Sequence, residues 1–280
     1  MPEGNELHRH ATQHAELFGS RIITVEAPNG RFEDGAALLN RRKLRSIEAY
    51  GKHLFYDFGP GRQLHIHLGL YGKFRTGELP FPETRGALRL RFSSRKHWLE
   101  LRGPTACEVL TGTEREKLVA RIGPDPLRED AEVAAAIDRI LASRAPIGGL
   151  LMDQSVISGI GNIYRAELLF RARLNPFRAG NSLSKRELLK LWRDARALLR
   201  AGMIDRRIVT TRPADRPHPS GNARRGETHY VYRRHRLPCF VCGGEISREE
   251  FIGRKLYWCP ECQPAVEGSG SVRKQHLLSA

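Results

Sequence analysis

The 280-residue chain is 40% hydrophobic, which is enough for about two domains with cores of their own. Lys and Arg total 47 against 31 Asp and Glu, and a formal charge of +16 points to a polyanionic partner, nucleic acid first. The alternative is a generically basic or ribosome-associated protein; the lack of an 18-residue apolar run and of an apolar leader argues against a membrane protein and for an intracellular, cytoplasmic one.

The chain opens Met1-Pro2-Glu3. A small residue such as Pro2 usually lets the initiator Met be removed, which leaves a secondary amine at the start of the protein. An α-amino group has a pKa of roughly 8, so a useful fraction is free base at neutral pH. Its attack on an aldehyde-like carbon gives an iminium that stays cationic and favours elimination from the next carbon. Glu3 beside it is a candidate general acid/base. The plain alternative is a Pro after the start codon and a charge opening a helix.

Residues 6–18 read as a helix with Leu7, Ala11, Ala15 and Phe18 on one side and Gly19 as its stop. Strand-like runs follow at 21–27, 44–50, 53–58, 63–68, 87–92 and 98–102, with turns at Gly51 and at Gly59-Pro60-Gly61. Many short strands argue for a sandwich or barrel. Lys52 falls on one of these turns, where a solvated lysine is the plain reading. His65 and His67 share a strand face, and no third metal ligand of suitable spacing is near. Leu70-Tyr71, an apolar pair between glycines, is either buried or a wedge between bases.

From Gly123-Pro124-Asp125-Pro126 the pattern turns helical. Val133, Ile137, Ile140 and Leu141 share a face, and residues 147–157 and 162–172 are further helix candidates. Ser184 and Glu187 form a capping box ahead of a stripe of Leu188, Leu191, Trp192, Ala195, Leu198 and Leu199, which belongs to a core. Between two helices lies Ser158-Gly159-Ile160-Gly161-Asn162. Its glycines and the following helix N-terminus suit a phosphate, with Asn162 as an added donor; a simple packing corner is the alternative. Residues 205–228 are basic and irregular, and 230–234 read as a strand.

Cys239, Cys242, Cys259 and Cys262 form C-x2-C-x16-C-x2-C, the spacing of two knuckles holding one structural zinc ion, with iron–sulfur ligation as the competitor. Four thiolates close the metal, so it is not catalytic. Arg254 and Lys255 lie between the knuckles, on a nucleic-acid probe or a solvated turn. Residues 265–280 carry no core positions and read as a flexible tail.

In this order Met1-Pro2-Glu3-Gly4, Gly51-Lys52, His67-Leu68-Gly69-Leu70, Arg121-Ile122-Gly123-Pro124-Asp125, the turn at 158–165 and the 254–262 hairpin end resemble the Fpg/Nei family of DNA glycosylases, and its endonuclease VIII (Nei) branch more than the formamidopyrimidine one. The resemblance implies an α+β multidomain fold. A leading helix and β-sandwich fill residues 1–122, a helix-two-turn-helix domain 123–228 and a zinc-ribbon hairpin 229–264. It implies a monomeric glycosylase and AP lyase acting on damaged double-stranded DNA by β,δ-elimination. Pro2 would form the Schiff base, with Glu3 as acid/base, Lys52 as proton donor and Arg254 on the phosphate near the lesion. Arg121, Asn162 and His67 would bind phosphates; Gly69, Leu70 and Tyr71 would fill the gap left by an everted base.

The Nei wedge is usually Gln-Leu-Tyr, and here its first position is Gly69. The Arg- and Phe-bearing loop of the formamidopyrimidine branch is replaced by Gly103-Pro104-Thr105. Oxidised pyrimidines are therefore expected ahead of 8-oxoguanine. Cys107 reads as a small buried residue. An inert zinc-ribbon DNA binder is the other class considered; Pro2, Glu3, Lys52 and Arg254 together argue against it.

Overall fold

The computed structural model describes residues 2–83 and 86–265. Contacts divide the chain into two compact units, one running through Ile122 and the other from Gly123 on.

The first unit begins with α1 (Gly4–Phe18), then β1 (Ile22–Glu26), α2 (Glu33–Leu39) and β2 (Arg42–Lys43). Strands β3 (Ser46–Tyr50), β4 (His53–Asp57), β5 (Gln63–His67), β6 (Lys73–Glu78), β7 (Leu88–Ser93), β8 (His97–Arg102) and β9 (Ala106–Leu110) follow, and α3 (Gly112–Val119) closes the unit. The antiparallel strands make two sheets, β2-β1-β7-β8-β6 and β3-β4-β5-β9. Their inward residues meet in one core: Leu54, Tyr56, Leu64 and Ile66 from the second sheet, Leu90, Phe92, Leu99 and Leu101 from the first. Tyr56 and Phe92 cross edge to face at 5.7 Å. This is the expected sandwich with its leading helix.

Three points along this unit depart from the sequence reading. Ala15 is exposed, and the buried side of α1 is completed by His10 and His14. Strand β6 escaped the sequence pattern because Phe74 is its only large apolar residue; backbone pairing with β8 forms it. Strand β9 was hidden behind Gly103 and Pro104, and pairs residue for residue with β5.

The second unit holds α4 (Val133–Leu141), α5 (Ile147–Leu150), α6 (Asn162–Arg171), α7 (Lys185–Ile204) and the hairpin β10 (Ser247–Phe251)–β11 (Arg254–Trp258). The capping box forms as expected, with Ser184 Oγ accepting from Glu187 N and the Glu187 carboxylate accepting from Ser184 N. Leu188, Leu191, Trp192, Ala195 and Leu199 of α7 are buried against α4 and α6 residues.

The helix expected over 147–157 ends at Leu150. Asp153 stops it locally, because its carboxylate accepts from Ser155 N and Oγ at 2.8 and 2.7 Å and so competes with the helical backbone. The strand expected at 230–234 is a run of turns instead. Its amides are used elsewhere: Tyr230, Val231 and Tyr232 N all donate to the buried Glu167 carboxylate of α6, at 2.7, 2.9 and 2.8 Å. Among the described residues no helix is long and apolar enough to cross a membrane.

Candidate active site and metal centre

Met1 lies outside the described residues, as does the expected tail from 266 on. Pro2 immediately precedes Glu3, the extended residue that caps α1. Glu3 is 1% exposed, and its carbonyl accepts from Glu6 N at 2.9 Å. A carboxylate is brought indoors only where partners or chemistry need it. Asn5, on the first turn of α1, is also buried, and its Oδ1 has no hydrogen-bond partner. Sequence reading passed over it, since an Asn at a helix start looks like an ordinary cap residue.

The second sheet gathers several expected residues at one end. Tyr50 pairs with His53 across the Gly51-Lys52 turn, with Gly51 at φ 57°; His53 pairs with His67, and His67 with Ala106. Lys52, His67, the 69–72 loop and the 103–105 loop thus lie at the same sheet end. In the 69–72 loop, Gly69 has φ 64° and Gly72 N donates to Leu68 O at 2.9 Å. Leu70 and Tyr71 at its tip are 42% and 79% exposed. Of the two sequence alternatives, burial is therefore not their fate.

His65 has both ring nitrogens engaged, Nδ1 with Glu108 Oε1 at 2.9 Å and Nε2 with His53 Nδ1 at 2.8 Å. His53 in turn lies 4.8 Å, ring to ring, from His67. Burial, with the neighbouring His65, His67 and Lys52 charges, pushes His53 down to about 3, so it is neutral at physiological pH. This chain of rings was not foreseen; the alternation His53…His65-x-His67 is visible in the sequence, but its pairing across strands is not. Cys107 packs partly buried against the sandwich core, and burial pushes its thiol up to about 12, which makes it a poor nucleophile. Arg121 is exposed just after α3.

In the second unit, Gly123 N donates to Gln154 O at 2.7 Å, and a Cβ at Gly123 would lie 2.6 Å from the Val156 carbonyl carbon. Only glycine allows that approach. Ser158 N donates to Pro124 O at 3.0 Å, and Gln154 ties both limbs of the following turn, accepting from Gly159 N at 3.1 Å and donating to Ile160 O at 3.0 Å.

Asn162 opens α6, and both ends of its side chain bond within the protein. Nδ2 donates to Lys255 O at 2.9 Å, and Oδ1 accepts from the fully buried Arg165. The Gly-rich turn is thereby fastened to β11, whose first residue is Arg254. Arg254 is exposed beside the two-residue turn Ile252-Gly253, where both residues have positive φ, 51° and 65°. Such a turn matches the twist of a hairpin, although a β-branched residue is strained there.

The four cysteines at the base of the hairpin have all their Sγ atoms within 4.8 Å of one another. Cys239 and Cys262 are separated by 3.9 Å and Cys242 and Cys259 by 3.5 Å. Zinc with sulfur at about 2.3 Å in a tetrahedron needs sulfurs about 3.8 Å apart, so the residues present fit one closed structural ion.

Three family models cover most of the chain: the formamidopyrimidine-DNA glycosylase N-terminal domain over residues 1–105, the H2TH domain of the same enzymes over 122–212, and a zinc finger found in FPG and IleRS over 236–265. Endonuclease 8 1 of Mycobacterium tuberculosis is 46% identical over 94% of this chain and 100% of its own length. The chain belongs to the Fpg/Nei family of DNA glycosylases. Relatives within the family come from both branches. The formamidopyrimidine-DNA glycosylase of Thermus thermophilus is 36% identical over 81% of this chain and 85% of its own, and Endonuclease 8 of Pectobacterium atrosepticum 31% identical over 94% and 100%. The fold is also that of Lactococcus lactis Fpg in complex with DNA containing an abasic site, at TM-score 0.76 and 23% identity, covering 94% of this chain and 100% of that one. Within this family the zinc finger and the four-cysteine cluster together give the chain one structural zinc ion.

Proposed function

We propose that this protein is a base-excision-repair DNA glycosylase and AP lyase that removes oxidised bases from duplex DNA, pyrimidines ahead of purines, and works as a monomer. The reading rests on Pro2 standing directly ahead of a buried Glu3 at the head of α1, in a chain 46% identical to Endonuclease 8 1.

The Pro2 nitrogen attacks C1′ of the damaged nucleotide, and the C1′–base bond breaks. Glu3 serves as acid/base at the sugar, and Lys52 gives a proton to the departing base. The amine loses its proton, O4′ takes one from Glu3 and the C1′–O4′ bond opens, and the iminium so formed makes the C2′ hydrogen acidic. Loss of that proton expels the 3′ phosphate, and a second elimination expels the 5′ phosphate. Arg254 holds the phosphate near the lesion through these later steps. Asn162, Arg121 and His67 fix the strand by its phosphates. The reaction needs C1′ in reach of the amine, so the nucleotide leaves the stack, and Leu70 with Tyr71 enters the gap. Zinc supplies no chemistry at the sugar; Cys239, Cys242, Cys259 and Cys262 would hold it so that the hairpin carrying Arg254 keeps its shape.

Residues 1–122 would then form the catalytic sandwich, 123–228 the helical DNA-binding part with its basic loop 205–228, and 229–264 the zinc ribbon. The pyrimidine preference follows from the loop at Gly103-Pro104-Thr105, which has none of the Arg and Phe of the purine branch. Single-turnover rates on matched duplexes carrying thymine glycol, 5-hydroxyuracil or 8-oxoguanine test it. Faster release of the two pyrimidines is expected; a clear preference for 8-oxoguanine opposite cytosine would move the protein to the formamidopyrimidine branch.

A further inference from the structure

The loop that carries Leu70 and Tyr71 has a second loop pressed against it. A Cβ built on Gly69 would overlap Thr105 Oγ1 and lie 3.0 Å from Thr105 Cβ. The Thr105 side chain therefore occupies the space in which a side chain at 69 would begin. Backbone pairing fixes it there, with Thr105 N donating to His67 O at 2.9 Å, next to the His67–Ala106 pair. Gly103, at φ 58°, brings the same loop onto the wedge, and a Cβ at that position would sit 3.3 Å from Tyr71 O. Pro104 is buried beneath, whereas Thr105 is exposed with Leu70 and Tyr71.

We propose that the Thr105 hydroxyl is the polar group of this gap-filling tip and makes the hydrogen bond to the base opposite the lesion. The inference rests on the reading of Leu70 and Tyr71 as the wedge. When a nucleotide is everted, the base it was paired with keeps its place and loses its partners. Leu70 and Tyr71 restore the stacked volume but leave the donors and acceptors of that base edge unsatisfied, which is costly where water is excluded. A hydroxyl has one donor and two acceptor lone pairs and rotates to suit. It can meet the edge of any of the four bases, so it relieves the cost without choosing among them. Gly69 and Thr105 then work as a pair, because a longer residue at 69 requires Thr105 to move.

Single-turnover excision by the full-length protein tests this. The duplexes carry one oxidised pyrimidine opposite A, G, C, T or an abasic site, and the same lesion is also given in single-stranded form. Thr105→Val keeps the branched shape and removes the hydroxyl. It is expected to slow excision opposite each of the four bases about two- to tenfold, the worth of one hydrogen bond. Opposite the abasic site and in single strands its rate should equal that of the unaltered protein, and Thr105→Ser should restore the duplex rates. An unchanged rate opposite all four bases overturns the inference. So does an equal loss opposite the abasic site, which would mark Thr105 as a structural prop. Leu70→Ala is measured alongside. If it leaves duplex rates untouched, the wedge reading itself falls and the inference with it; if it slows duplex excision while Thr105→Val does nothing, only the role of Thr105 is lost.

Discussion

The sandwich should weaken on mild acidification, and His14 is the residue through which this can be measured. Its side chain is fully buried; Nδ1 pairs with Tyr56 Oη at 2.8 Å, Nε2 has no partner, and Phe74 meets the ring edge-on at 4.8 Å. Burial, with the charges of His10 and Arg9 adding to it, holds the pKa of His14 well below the ordinary histidine range. In the unfolded chain the same imidazole titrates near 6.5. The unfolded state therefore binds the extra proton first, so the contribution is complete above about pH 6.5 and is lost as pH falls below it. At roughly 1.36 kcal/mol per pH unit, His14 alone costs about 2 kcal/mol at pH 5, against a total stability of about 5–15 kcal/mol. His14→Phe keeps an aromatic ring in the same company and removes the titration, but leaves the Tyr56 hydroxyl unpaired at a cost of about 1–3 kcal/mol. The variant should thus be the less stable protein at pH 8 and should lose about 2 kcal/mol less between pH 8 and pH 5. Protection of the β4 amides from hydrogen exchange, corrected for intrinsic rates, follows this unit without assuming that both units unfold together. Equal losses in the two proteins over that pH range would refute the assignment of His14 as a buried neutral group.

Four further outcomes are expected. Cys242→Ser or Cys259→Ser should abolish tight DNA binding while the sandwich stays folded, read by fluorescence anisotropy and circular dichroism; normal affinity in metal-free protein would contradict it. Arg254→Ala should leave Schiff-base formation partly intact and reduce the eliminations, visible as trapped complex without the matching strand cleavage. Leu70→Ala should slow removal far more in duplex than in single strands, where there is no hole to fill. Glu167→Gln turns an NH2 donor toward the amide donors of 230–232 and should cost about 2–6 kcal/mol if two of them lose their partner; faster exchange of those amides is the readout, and unchanged exchange would count against Glu167 as the anchor of that segment.

Much of the architecture was legible because its residues carry local signals. Alternating apolar residues announce β5, β7 and β8, Ser184 and Glu187 announce the start of α7, and the cysteine spacing announces the metal centre. What escaped was decided between distant parts of the chain. Nothing near Tyr230 shows that its amide will be claimed by Glu167, although a lone acid on the apolar face of α6 was a usable clue. His10 and His14 replaced Ala15 on the inner face of α1 because Tyr56 and Phe74, far along the chain, offer rings to meet them. At the site, Gly69 read as a missing side chain; only the approach of the 103–105 loop reveals that Thr105 stands in its place. Asn162 read as a phosphate donor, and its bond to Lys255 O is a structural duty that no spacing encodes.

The most direct test of the proposed chemistry is borohydride reduction during turnover on a duplex carrying an oxidised pyrimidine, followed by proteolysis and mass spectrometry of the trapped complex. The nucleotide remnant should be found on a peptide that begins at Pro2 and lacks Met1, attached through the proline nitrogen. A remnant on Lys52, or efficient strand cleavage with no trapped complex, would contradict the assignment of Pro2 as the nucleophile.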